Sequence, residues 1–201
     1  MPTKNYLVKF QETGGKKVAG QTNAVAGGLK RLAVQAVAAG GAFFAAQGII
    51  RAFKSTIELA GIQEKAEKRL QVALGKTSNA LLSQARALQQ VTTFGDEAII
   101  GVQASIAAFV KSEEQIKLAT KATLDMAVAM GMDLKSAGDL IAKTLGSSTN
   151  ALTRYGVEVE GAVGSTERLT SLTDGIARLW GGQAAAAAKT MSGSLEQMHN
   201  A

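Results

Sequence analysis

The stretch that decides the fold is DLKSAGDLIAKTLGSSTNALTRYG, residues 133 to 156. Asp133 suits a helix N-cap, and Leu134, Ala137, Ile141 and Leu145 follow at the three- and four-residue spacing that puts apolar side chains on one helical face. Gly146 is expected to stop that helix. Ser147, Ser148, Thr149 and Asn150 all favour turns and helix starts over helix interiors, so a second short helix is predicted to begin there and to end at Gly156. The pattern is a helix, a polar elbow and a helix, with no side chain in it equipped for chemistry.

Upstream, the same grammar of cap, apolar stripe and glycine stop recurs. Gly95 and Asp96 open a helix with Ile99, Val102, Ile106, Phe109 and Val110 on one face. Ser112 with Gln115 has the spacing of a capping box, and Glu113 and Glu114 suit the positive end of the next helix. That helix carries Ile116, Ala119, Leu124, Met126, Ala127 and Met130 and stops at Gly131. Three amphipathic helices with tight connections therefore run from Asp96 to Gly146, the best candidate for a locally folded bundle. Before them, Ser78 to Thr93 reads as a helix with Leu81, Ala85, Leu88 and Thr92 on one side, and Lys54 to Gly75 as another. The charged run Glu64, Lys65, Glu67, Lys68 and Arg69 forms a solvated face of the latter.

Downstream, Gly156 to Gly164 reads as a loop or small hairpin, and a helix runs from Ser165 to Trp180, whose indole packs against its helix neighbours. Gln183 to Lys189 is an alanine tract with strong helix propensity and no amphipathic face. Ser194 with Gln197 marks a further helix start just before Ala201. A helix begun there is expected to continue in a longer polypeptide or to be completed by a partner.

The N-terminal part differs. Tyr6, Val8 and Phe10 alternate with Leu7 and Lys9 as in a short strand, which needs a pairing partner because an isolated strand leaves its backbone groups unpaired. Lys16 to Gly28 reads as a weak helix or flexible segment. Leu32 to Ile50 holds no charged residue and lies between Lys30 and Arg31 on one side and Arg51 and Lys54 on the other. At roughly 19 residues it is near the minimum for crossing a bilayer. Its alanines and glycines, Ala36, Gly40, Gly41 and Ala45 among them, instead favour close helix association, while Phe43 and Phe44 are its bulkiest apolar groups. The fold class is thus all-α, an array or bundle of short amphipathic helices with a long Ala/Gly-rich N-terminal helix and one short N-terminal strand. The divisions fall at residues 1–60, 61–164 and 165–201.

Composition narrows the chemistry. The chain of 201 residues is 46% hydrophobic but only 4% aromatic, so alanine and glycine supply much of its apolar surface and a monomeric core would be thin. There is no cysteine, and the single histidine, His199, lies next to the terminus, so thiolate metal sites and clustered histidine ligands are excluded. Charge is uneven: residues 1–76 hold 12 Lys/Arg against 4 Asp/Glu, and residues 77–201 hold 10 against 12. The basic arm of Lys4, Lys9, Lys16, Lys17, Lys30, Arg31, Arg51 and Lys54 favours phosphate, anionic membrane or acidic protein surfaces. Gly75, Lys76 and Thr77 spell the end of a Walker A loop, but Leu70 stands where its first glycine belongs and no strand precedes it. The carboxylate pairs Glu113–Glu114 and Glu158–Glu160 lack histidine or spaced Asp/Asn partners, and no base stands ready to activate a serine. No enzyme activity, cofactor or metal is expected.

Leu145, Gly146, the Ser/Thr/Asn elbow, Ala151, Leu152, Arg154, Gly156 and Val157, followed by Glu158 and Glu160, resemble a segment of the tail tape measure proteins of long-tailed bacteriophages. The resemblance extends upstream through FGDEAIIGVQASIAAFV and downstream to WGGQAAAAAKTMSGSLEQM, with Gly181, Gly182, Thr190, Gly193 and Leu195 in the pattern, about the last two thirds of the chain. It implies a structural protein that occupies the lumen of the tail tube, sets tail length during assembly and assists DNA ejection. The location it implies is the virion tail, with the host cytoplasm during assembly. The partners it implies are further copies of itself, three by the family's habit, the tail tube protein, tail tip or baseplate hub proteins and tail assembly chaperones. Host membrane and phage DNA are non-specific contacts in the same picture. An alternative is a membrane-inserting or pore-forming protein acting through residues 32–50.

The small-residue segment yields the first prediction. Arginine at Ala36 or Gly41 blocks close helix approach, so it is expected to lower the sedimentation coefficient of a self-associating wild type at micromolar concentration while the helices from Asp96 to Gly146 stay folded. A wild type that already sediments as a monomer contradicts this.

Overall fold

A computed structural model describes residues 60–200, and every regular element among them is helical. The expected strand at Tyr6 to Phe10 and the Ala/Gly-rich helix from Leu32 to Ile50 lie outside the described residues. We number the helices α1 (residues 60–74), α2 (Asn79–Gln89), α3 (Asp96–Ala107), α4 (Glu113–Met130), α5 (Leu134–Gly146), α6 (Thr166–Trp180), α7 (Gln183–Ala188) and α8 (Met191–Asn200).

Three helix starts are set by a capping side chain. The Ser78, Asp133 and Ser165 side chains accept from the backbone N–H of Leu81 (3.2 Å), Ser136 (2.8 Å) and Arg168 (3.1 Å), each satisfying a first-turn donor that the helix itself leaves unpaired. Hydrogen bonding from Ser136 holds the Asp133 carboxyl below the usual aspartate range. The folded pKa is the lower one, so this cap's contribution is complete at neutral pH and is lost as pH falls through the lowered value. Ser112 behaves otherwise. It stands at the N-cap of α4 without a side-chain cap bond, and Gln115 donates to Thr166 Oγ1 at 2.8 Å, so the expected capping box is replaced by a link to the start of α6.

The centre of the fold is α4, which touches α2, α3, α5, α6 and α7. Residues 122 to 127 are buried without a break, Asp125 among them, as befits a helix with neighbours on every side rather than a stripe on one. Alanine makes this possible: Ala119, Ala122 and Ala127 are at most 7% exposed and let the surrounding helices come close. The buried hydroxyls of Thr120 and Thr123 donate to the carbonyls of Ile116 and Ala119 one turn back, so they add no unmet donor. One hydrophobic cluster runs from Ala66 in α1 to Ala184 in α7, and residues on both sides of position 164 belong to it. No aromatic side chain is fully buried among the described residues; Phe94, Tyr155 and Trp180 pack at its edge.

Several expectations are corrected in detail. Gly146 is the last residue of α5 rather than its stop, and the Phe109 ring occupies the space its Cβ would fill. Phe109 itself lies beyond the end of α3 and is 47% exposed, so it is not part of that helix's buried face. The second short helix is a single 3-10 turn, Thr153–Tyr155, and residues 157 to 164 form a loop with no hairpin ladder. The alanine tract does have a buried face, since Ala184 and Ala188 fall one turn apart against α4. Its first turn is capped from outside, with Asp125 Oδ1 accepting from the Ala184 N–H at 3.0 Å. In α8 the cap is Thr190, whose hydroxyl accepts from the Gly193 N–H at 3.0 Å, and not Ser194; Gln197 donates to the Gln90 carbonyl.

Two glycines separate helix propensity from packing. A Cβ on Gly101, inside α3, meets nothing within 4 Å, whereas one on Gly138 in α5 comes 3.0 Å from Val102 of α3. In urea denaturation Gly101→Ala is expected to raise stability by about 0.5–1 kcal/mol. Gly138→Val is expected to lower it by about 1–3 kcal/mol through overpacking.

Candidate functional site

The residues that sequence singled out for contact, Ala36, Gly40, Gly41, Phe43, Phe44 and Ala45, and the basic arm from Lys4 to Lys54, all lie outside the described residues. Two features within residues 60–200 remain: the locked elbow that follows α5, and an open groove over α3.

The elbow is organised by a buried cation. Arg168, on the first turn of α6, is only 4% exposed, and its guanidinium donates from Nε to the Thr144 carbonyl (2.8 Å), from one terminal nitrogen to Gly161 (3.0 Å) and from the other to Ser147 (2.8 Å). Thr144 and Ser147 stand at the C-terminal end of α5, where carbonyls have lost their helical partners and the helix dipole is negative. Gly161 is pressed against the same turn, since a Cβ there would stand 2.6 Å from the Arg168 backbone nitrogen. Asn150 completes the elbow: its side chain accepts from the Leu152 N–H at 3.0 Å and donates to the Val157 carbonyl at 2.9 Å. Leu152 and Val157 are thereby buried in the core, and Gly156 takes the left-handed turn (φ 79°) that a side chain would strain. Sequence reading found the elbow but not its clasp, because nothing local distinguishes Arg168 from a surface arginine.

The first carboxylate pair is tied up in structure, whereas Glu158 and Glu160 are exposed on the loop. Glu113 pairs with Lys76 at 2.7 Å and Glu114 with Lys117 at 2.7 Å. The Lys76 contact holds the Glu113 carboxyl below its usual range. Gly75 ends α1 with φ 75° and its N–H bonded to the Gln71 carbonyl at 2.8 Å, which is a helix stop and not a phosphate loop. Lys111 donates to the Ala73 and Ala107 carbonyls (2.6 and 2.8 Å), so one ammonium closes the C-terminal ends of α1 and α3 together. Among the described residues no group of three His, Cys, Asp or Glu is placed to hold a metal ion, and no helix is long and apolar enough to cross a membrane.

The groove lies over the outer surface of α3, between α1 and α5. Three depressions of about 390, 450 and 510 Å³ share Ser105. Their floor is small, with Gly101, Ser105 and Ala108. Lys65, Arg69 and the exposed Val72 stand along the α1 wall, Lys135 and Lys143 along the α5 wall, and Phe109 at one end. Asp139 is held by Lys135 at 2.6 Å and by the Ser105 hydroxyl at 3.2 Å. The remaining cations give the rim a positive balance against Glu97. The sequence signal was present, since Gly101, Ser105 and Ala108 recur at helical spacing opposite the buried stripe of α3.

Comparison of the chain with protein-family models, with curated proteins and with solved structures found no match.

The clasp is open to direct test. Arg168→Met leaves three desolvated carbonyls without a donor and is expected to cost about 3 kcal/mol or more in urea denaturation. Arg168→Lys recovers only part of this, because a single ammonium cannot reproduce the fork. An Arg168→Met variant as stable as wild type contradicts the clasp.

Proposed function

We propose that this chain is a structural component of a phage tail, of the tape measure type, and that residues 60–200 form a folded helical domain of that protein rather than its ruler. The observation that carries the reading is where the resembling residues fall. Leu145, Leu152 and Val157 are at most 1% exposed and form the core side of the elbow, while Gly146 and Gly156 serve close packing and a turn. A pattern of this kind marks an architecture and not a reaction, which supports a structural role without catalysis.

In this reading the ruler lies elsewhere in the protein. About 140 residues in one continuous helix would extend roughly 210 Å. Folded back on a central helix of 18 residues, they occupy a domain whose radius of gyration is about 14 Å. In this reading residues 6–10, the apolar stretch at residues 32–50 and the basic arm supply contacts with other copies, host membrane and phage DNA. The tail tube, tail tip or hub proteins and assembly chaperones are the specific partners. The protein resides in the virion tail and passes through the host cytoplasm during assembly.

The test is an in-frame deletion of residues 60–200 in the phage, with tail lengths measured by electron microscopy and the protein assayed in purified tails. The wild-type protein is expected in the tails, and the deletion is expected to shorten any tails that form by less than about 40 Å, on the order of the domain's diameter. Absence of the protein from tails overturns the tail reading. Shortening by roughly 210 Å leaves that reading intact and overturns the claim that this segment is a folded domain.

A further inference from the structure

We infer that the groove over α3 receives the outer face of α6 from a second copy of this chain, giving a head-to-tail contact. The surface of α6 opposite its buried face carries Glu167, Thr170, Asp174 and Arg178, all exposed. Counted backwards from Arg178, these residues are spaced 4, 4 and 3. Along α3, Glu97, Gly101, Ser105 and Ala108 are spaced 4, 4 and 3 in the forward direction. An antiparallel alignment of the two helices therefore brings four levels into register over about 16 Å. Arg178 meets Glu97. Asp174 sits over Gly101, where no Cβ obstructs it, between Lys65 and Arg69 on one wall and Lys135 on the other. Thr170 lies over Ser105, small against small. Glu167 reaches the Ala108 level beside Lys143.

Charge complementarity at three of the four levels and a small floor beneath them select this occupant. The positive rim of the groove suits an occupant with exposed carboxylates. The two surfaces are different patches of one molecule, so each copy retains a free groove and a free α6 face after pairing. Such a heterologous contact propagates copies into a row and does not need to close. One helix lying in one groove falls at the small end of specific interfaces, so the contact is weak and screened by salt. It stands on residues 60–200 alone and does not depend on the tail reading.

The experiment is sedimentation equilibrium of the full chain carrying Ala36→Arg, up to millimolar concentration and at two salt concentrations. Self-association is expected, weakened about tenfold or more between 50 and 500 mM salt. A groove variant, Lys65→Ser with Arg69→Ser, and a face variant, Glu167→Ser with Asp174→Ser, are each expected to sediment as monomers with unchanged helical circular dichroism. Mixed together they still offer one intact groove and one intact face, so a 1:1 dimer and nothing longer is expected. Gly101→Leu fills the floor in open space and is expected to abolish association without loss of stability. A monomeric parent at millimolar concentration overturns the inference, as does association that persists in both variants. Loss in the groove variant alone overturns the α6 face as the occupant and leaves a different surface of the second copy in the groove.

Discussion

The fold depends on one buried cation whose partners are all backbone. Arg168 neutralises no carboxylate in its clasp; it satisfies carbonyls of Thr144, Ser147 and Gly161, drawn from the end of α5 and from the loop before α6. A chain that turns through Ser147, Ser148, Thr149 and Asn150 next to a hydrophobic core faces a shortage of donors, because the last turn of a helix leaves carbonyls without partners. The guanidinium meets that shortage from the first turn of the next helix. The elbow and α6 are therefore a single construction, which is how a polar connection can lead Leu152 and Val157 into the interior.

The second constraint is the scarcity of large side chains. With aromatics excluded from the deepest layer, apolar area per residue is modest, and the fold compensates with close approach around α4 and with hydrogen bonds inside the core. Gln103 shows the method. Fully buried on α3, it donates to the Leu81 carbonyl at 3.0 Å and to the Gln84 side chain at 3.1 Å, while Gln84 donates in turn to the Lys117 carbonyl, so two amides tie α2, α3 and α4 together. Gln103 Oε1 has no partner, an interior acceptor left over from that arrangement. The same small residues that permit dense packing inside leave the outer surface of α3 shallow and smooth, which is what makes it a groove.

Much of the helical architecture was legible because its signals are local. Asp133 caps where its side chain and spacing say it should, helices begin after Ser78 and Ser165 as read, and Gly75 and Gly131 end helices as read. What failed to be legible depends on a distant partner. Gln115 leaves its own helix start for Thr166, Gly146 makes room for Phe109, and the alanine tract acquires a face only because Asp125 and α4 stand beside it. The groove follows the same rule: its floor is written at helical spacing in α3, but its walls come from α1 and α5, and only the tertiary arrangement sets their cations on either side of it.

The elbow, held by Arg168, makes residues 60–200 one core and not two. Native-state amide hydrogen exchange on the full chain measures this most directly. Leu172 and Ile176 in α6 are expected to exchange through the same slowest opening as Ile106 in α3 and Met126 in α4, as members of one cooperative unit. If α6 exchanges through a smaller opening while α3 and α4 remain protected, the clasp does not unite the two parts.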